Sequence, residues 1–313
     1  MTATTEPVID GEAGAIPGMA FDWLFTGSWF GITCWDCSGG RQEITEERQQ
    51  LWHVISFLHD GAFVLHSQGR SEVVDPTSVL LYNPSAPYQS SHPFGCCDHG
   101  SALVIRRESL LDVMLHHDPT AEERPDALFT LPLGKGLSRA YMLHRMMVRA
   151  LQGPEPSDPL ALESMVLRIL REVAGSLGKS SSLTTPRDPA RTRRDYVADT
   201  KTLLQRRFRE KLRLNDIGRA LHVSTYHLCR IFKEETGEPI HRYLNRLRLR
   251  HALDTLATTG QADLSELAFS LGFADHSHLS NSFRKEFGVS PRQVRELGRG
   301  GVLSKMMKSL ERA

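Results

Sequence analysis

The sequence predicts an α+β chain of two domains. The first is an antiparallel β domain of jelly-roll type carrying a helix pair; the second is all-α and holds two helix-turn-helix units. Three observations predict this. Between Phe21 and Val104 the apolar runs are short, β-like and separated by turn residues. From about Glu108 the apolar period becomes helical. In the last third a helix-turn-helix pattern occurs twice, about fifty residues apart.

A chain of 313 residues has room for two ordinary domains, each with its own core. No run reaches the roughly 18 apolar residues of a membrane span, and Met1–Gly18 is acidic rather than signal-like, so a cytoplasmic location is expected. Five cysteines in a long chain do not form a secreted disulfide framework. The net charge of +1 hides an asymmetry: residues 191–313 hold 24 Lys and Arg against 14 Asp and Glu, and residues 1–190 hold the remaining 14 against 23. A basic C-terminal third is what a polyanion-binding domain requires.

In chain order, residues 1–20 read as a flexible leader. The runs SWFGITCW, LWHVISFL, AFVLHS, SVLLYN and SALVI read as strands, with Asp60-Gly61 the stronger hairpin signal and Gln68-Gly69 the weaker. Residues 21–178 make one domain, ending in a helix pair at 137–178 broken by Gly153-Pro154-Glu155-Pro156. The stripe Leu160, Leu162, Met165, Val166, Ile169, Leu170 and Val173 either covers the β domain or forms a dimer face. Residues 179–192 have linker composition, residues 193–297 form the helical domain, and 298–313 a tail.

In the helical domain Leu264, Leu267, Ala268 and Leu271 form one apolar stripe; Asp263 is positioned to cap that helix, with Glu266 three residues on. Asp275 caps a second helix carrying Leu279, Phe283 and Phe287, and Gly288 ends it. Ser290, Pro291 and Gln293 open a third. Shifted back by 50, the first stripe matches Leu214, Ile217, Gly218 and Leu221. Shifted back by 51, Asp275, His278, Leu279, Phe283, Glu286 and Gly288 match Ser224, His227, Leu228, Phe232, Glu235 and Gly237. Between the units, Pro239–Thr258 reads as one long helix with Ile240, Tyr243, Leu244, Leu247 and Leu256 in its core.

STYHLCRIFKEETGEP, YLNRLRLRHALDTL and LAFSLGFADHSHLSNSFRKEFGVSPRQVR carry a family resemblance. Residues 195–297 resemble the two-unit DNA-binding domain of AraC/XylS transcription regulators, and Ser71–Pro93 is more loosely similar to their cupin-like sensor domain. The resemblance implies double-stranded operator DNA, a small-molecule effector, RNA polymerase and a second copy of the chain as partners. It also implies transcription activation as the usual mode. Two units per chain imply groove contacts about 34–36 Å apart.

With Leu228 and Phe232 turned inward, Thr225, Tyr226, Cys229, Arg230 and Lys233 lie on or near the outward side of the first unit's second helix. The repeat gives His276, Ser277, Ser280, Asn281 and Arg284 in the second unit, and the resemblance carries base contacts to these same helix starts. Arg230 suits the O6/N7 edge of guanine and Asn281 suits adenine. His227 and His278 suit packing or capping. Arg206, Arg207, Arg209, Lys211, Arg213, Arg246, Arg248, Arg250, Arg292 and Arg295 read as a mixture of phosphate contacts and solvated charge.

Cys34, Cys37, Cys96, Cys97 and His99 raise three alternatives: a zinc or copper(I) site, a reversible disulfide, or small buried side chains. The histidines and Asp60 lack metal-cupin spacing, and no G-x-S-x-G, H-E-x-x-H or P-loop occurs, so no enzyme and no cofactor are expected. A cupin-type enzyme fused to a DNA-binding module is the remote alternative.

Overall fold

The computed structural model describes residues 19–37, 44–92, 97–134, 136–154, 157–177, 189–259 and 263–297. Almost all of the leader, Cys96, the second half of the 153–156 break, most of the 179–192 linker and the whole 298–313 tail lie outside these residues. The chain is an α+β protein with antiparallel sheets first and helices after them.

Among the described residues nine strands form two sheets: β1 (Met19–Thr26), β2 (Phe30–Cys37), β3 (His53–Asp60), β4 (Phe63–Ser67), β5 (Arg70–Val74), β6 (Val79–Tyr82), β7 (Gln89–Ser91), β8 (Asp98–Ile105) and β9 (Leu133–Gly134). The larger sheet has the order β1-β2-β8-β3-β6-β9 and the smaller β5-β4-β7, with every pairing antiparallel. The two-residue period of the strands divides the side chains between two cores. Phe30, Ile32, Ile55, Phe57, Val79, Leu81, Leu103 and Ile105 face the helices, whereas Trp35, Val54, Leu58, Leu80, Ala102 and Val104 face the small sheet. β3 is therefore buried without a break from His53 to His59, because both of its faces are covered.

The five sequence-predicted runs correspond to β2, β3, β4, β6 and β8; β1, β5, β7 and β9 were not singled out. The hairpin reading of Asp60-Gly61 is overturned. β3 pairs with β6 and β8 while β4 pairs with β5 and β7, so Asp60-Gly61 is where the chain crosses between sheets. The weaker signal marks the true hairpin: Ser67 pairs with Arg70 across Gln68 and Gly69, whose φ values of 52° and 70° are the two left-handed residues of a type I′ turn. Gly61 is needed for a different reason. Its φ is +88°, and a Cβ there would lie 2.6 Å from Asp98 Cβ and 2.7 Å from the Cys97 carbonyl oxygen. Gly61→Ala is expected to lower the unfolding free energy by about 2 kcal/mol in urea titration; an unchanged midpoint would refute that close approach.

The helices are α1 (Arg107–Leu115), α2 (Ser138–Leu151), α3 (Pro159–Leu177), α4 (Pro189–Arg207), α5 (Leu214–Ala220), α6 (Thr225–Thr236), α7 (Ile240–Thr259), α8 (Leu264–Ser270), α9 (His276–Phe287) and α10 (Pro291–Leu297). α4 starts four residues before 193, within the segment of linker composition. In α3, Leu162, Met165, Val166, Ile169, Leu170 and Val173 are at most 1% exposed, so the core of a single chain already uses them. Leu160 alone of that stripe is exposed. The wide stripe follows from packing against both α1 and α2 rather than from a free face.

Candidate nucleic-acid interface

Each helix-turn-helix unit is set up by its caps. Asp263 accepts hydrogen bonds from the amides of Ser265 and Glu266 at 2.7 and 3.0 Å, starting α8. Asp275 accepts from His278 at 2.7 Å and Ser224 from His227 at 3.3 Å, starting α9 and α6. Gly237 and Gly288 close these helices at φ 80°. The Ser290–Gln293 pair forms a reciprocal capping box before α10. Leu228 and Phe232 in α6, and Leu279, Phe283 and Phe287 in α9, are all 0–1% exposed, which fixes the face left for solvent.

On that outer face Tyr226, Arg230 and Lys233 are exposed on α6, and His276, Ser277, Asn281 and Arg284 on α9. Tyr226 is 81% exposed, a large ring presented to solvent among the described residues. Thr225 and Cys229 are only half-buried candidates: Thr225 donates to Asn215 Oδ1 at 3.0 Å, and Cys229 packs on the core, which raises its thiol pKa. Ser280 is likewise half-buried. Arg230 lies 3.8 Å from Glu234 one turn on, a loose exposed pair that leaves the guanidinium available. The ring of His278 packs edge-on against Phe273 at 5.3 Å, a packing role rather than readout.

Three arginines read from sequence as phosphate contacts or solvated charge are neither. Arg248 donates to the carbonyls of Phe208, Glu210 and Gly272 at 2.7, 2.7 and 3.0 Å, tying the end of α4 to the α8–α9 turn. Arg246 pairs with the buried Glu238. Arg250 is 0% exposed. It donates to the Ser138 carbonyl at 3.2 Å and to Ser138 Oγ at 3.1 Å, and stacks over the Tyr141 ring at 4.0 Å. Burial pushes its pKa down to about 10, still a cation at neutral pH. Ser138 Oγ in turn donates to Glu286 of α9. The helical period held the signal: Arg250 and the half-buried Asp254 continue the buried face begun by Tyr243 and Leu247.

α7 thus joins the two units and also docks on the β domain, with Arg145 of α2 paired to Asp254. Gln205 and Lys201 of α4 donate to the carbonyls of Gly61 and Val73 at 3.0 and 3.4 Å. Behind Arg145 lies a buried relay in which Ser101 Oγ stands 2.8 Å from both His59 Nε2 and His144 Nε2. One hydroxyl proton serves two rings, so one imidazole accepts and the other donates. Arg145 Nη1, which can only donate, sits 3.4 Å from His59 Nε2 and marks His59 as the acceptor.

β2 does not bring Cys34 and Cys37 together. Three residues apart on a strand, they point to opposite faces: Cys34 packs toward the helices and Cys37 toward the small sheet. Cys34 accepts a weak bond from Gln152 Nε2 at 3.9 Å, and burial raises its thiol pKa. Cys97 and His99 are exposed. Cys37 instead meets two residues not chosen from sequence, His92 and Asp98. His92 Nε2 is 3.0 Å from Asp98 Oδ1 and 3.7 Å from Cys37 Sγ. Interaction with the Asp98 carboxylate is the main cause pushing the imidazole pKa up to about 9. Only strand pairing, Cys37 opposite Asp98, exposes this grouping. Elsewhere a shallow cleft at the β4–β6 end is lined by Leu65, Tyr82, Tyr88, Phe129 and Leu131 among others.

The geometry from Leu214 to Leu297 defines a tandem helix-turn-helix module. Residues 217–297 match the helix-turn-helix domain family. Over 100 residues the chain is 37% identical to the HTH-type transcriptional activator RhaS of Escherichia coli, covering 32% of this chain and 35% of that protein. Little more than a third of that relative's length is therefore matched. Among solved structures, the C-terminal domain of AraT, a response regulator from Geobacillus stearothermophilus, aligns at 29% identity over 32% of this chain and 84% of its own, TM-score 0.31. ToxT from Vibrio cholerae aligns at 14% identity over 91% of this chain and 100% of its own, TM-score 0.34. No described helix is long and apolar enough to cross a membrane.

Proposed function

We propose that the chain is a sequence-specific, double-stranded DNA-binding transcription regulator. In this reading the segment 193–297 reads the operator and 21–178 receives a small-molecule effector. The observation that carries it is the pair of second helices, each pinned by an apolar inner face and each presenting an exposed polar outer one. Thr225, Tyr226, Cys229, Arg230 and Lys233 contact DNA from α6, and His276, Ser277, Ser280, Asn281 and Arg284 from α9. Arg230 grips guanine and Asn281 adenine. Of these, Thr225, Cys229 and Ser280 supply short-range contacts close to the helix body, as their half-burial requires.

The protein acts as a cytoplasmic homodimer that activates transcription through RNA polymerase, without enzymatic turnover. Relatives of the matched domain named as transcriptional activators support the activator reading. The test begins with the DNA preferred by the full chain, selected from random sequence. Arg230→Ala is expected to weaken binding to that DNA by about 1–3 kcal/mol and to relax preference at one base pair. Equal weakening on every sequence would make Arg230 a backbone contact, and failure of the unsubstituted protein to select any sequence would end the reading.

A further inference from the structure

We propose that Cys37 Sγ, His92 Nε2 and Asp98 Oδ1 form a binding site for a zinc-class divalent ion. The three donor atoms lie within 4.8 Å of one another, and no other such group occurs among the described residues. Zinc bonds of about 2.0–2.3 Å to nitrogen, oxygen and sulfur place tetrahedral donors roughly 3.3–3.6 Å apart. The observed separations of 3.0 Å from nitrogen to oxygen and 3.7 Å from nitrogen to sulfur bracket that edge length.

Asp98 supplies the second observation. The residue is 2% exposed, and its Oδ1 is buried without an aligned hydrogen bond although the His92 ring stands beside it. A buried carboxylate oxygen turned toward an imidazole nitrogen and a thiol is more completely satisfied by a cation than by one poorly aligned N–H. Thiolate, imidazole and carboxylate together favour zinc over magnesium or calcium, which take oxygen donors alone. The fold explains the convergence. Cys37 and Asp98 are directly paired across β2 and β8, and His92 follows β7 of the other sheet, so the ion joins the two sheets at one end. Three protein donors leave the fourth tetrahedral position for water or another small ligand. On binding, the Cys37 thiol proton and any proton on His92 Nε2 pass to solvent, and no oxidation is involved.

This site goes beyond the DNA-binding reading, and its test needs no DNA. Reduced, metal-stripped full-length protein is titrated with Co²⁺ and the absorption spectrum followed. A thiolate-to-cobalt charge-transfer band saturating at one ion per chain, and displaced by Zn²⁺, is expected. Cys37→Ser should abolish the band while Cys34→Ser, on the opposite face of β2, leaves it intact. His92→Gln and Asp98→Asn should weaken Zn²⁺ binding at least ~10-fold, with circular dichroism reporting whether each variant is folded. The spectrum of the unsubstituted protein is decisive even where a variant fails to fold. Absence of the band overturns the site, as does a band that survives Cys37→Ser in folded protein or disappears with Cys34→Ser.

Discussion

Arg250→Ala should cost about 3–5 kcal/mol of unfolding free energy, because it removes one partner of a fully buried charged cluster. The deletion removes the hydrogen bonds to the Ser138 hydroxyl and carbonyl, takes away the cation facing Glu286, and leaves a void against the Tyr141 ring. The loss should appear as a lower midpoint in chemical denaturation. It should also appear as two separable transitions, since the cluster spans α2 on one side and α7 and α9 on the other. Arg250→Met, which keeps the packing over Tyr141 but none of the hydrogen bonds, should recover only part of the loss. If Arg250→Ala unfolded in one transition at an unchanged midpoint, the buried seam would have no energetic role.

The second large effect is acid sensitivity. Burial holds His144 down to about 3 and His53 down to about 4. His144 stacks on Phe57 and faces Arg145 and the Ser101 hydroxyl. His53 meets the edge of Phe129, and neither ring nitrogen is bonded among the described residues. A folded-state pKa below the unfolded value means that the unfolded chain binds more protons between the two. Stability from these rings is therefore complete above about pH 6.5 and lost as pH falls. Between pH 7 and pH 4 the unfolding free energy should drop by roughly 5 kcal/mol for the two rings together. Replacing His144 with Gln should flatten that slope. A slope unaltered by the replacement would assign the acid sensitivity to other groups.

The helical domain was readable because its determinants are local. Asp263, Asp275, Ser290 and the glycines at 237 and 288 act within four residues of themselves, and the inward stripes of α6 and α9 need no knowledge of what lies beneath them. The β domain was readable only as a set of runs. Which strands pair depends on non-local contacts, so Asp60-Gly61, a hairpin signal by composition, became a crossover between sheets, and Cys34 and Cys37 were separated by the pleat. Ser138 and Asp98, and the partners of His92 and of the repeat residue Glu286, were not legible for one shared reason. Each has a partner 55 or more positions away or across a sheet, and nothing within a short window marks it. Arg250 is the exception. Its place on the Tyr243–Leu247 face was visible, but an arginine in a basic domain invited a phosphate reading.

The way α7 is built has a thermodynamic corollary. One helix carries Tyr243 and Leu247 in the core of the helical domain and, one and two turns on, Arg250 and Asp254 against α2. α9, whose exposed face starts at His276, is held at its far end through Glu286 by the same α2. On the proposed function, a ligand of the β domain that shifts α2 acts on α7 and α9 together. Linkage then makes the exchange symmetric: the factor by which such a ligand changes operator affinity is the factor by which the operator changes affinity for the ligand.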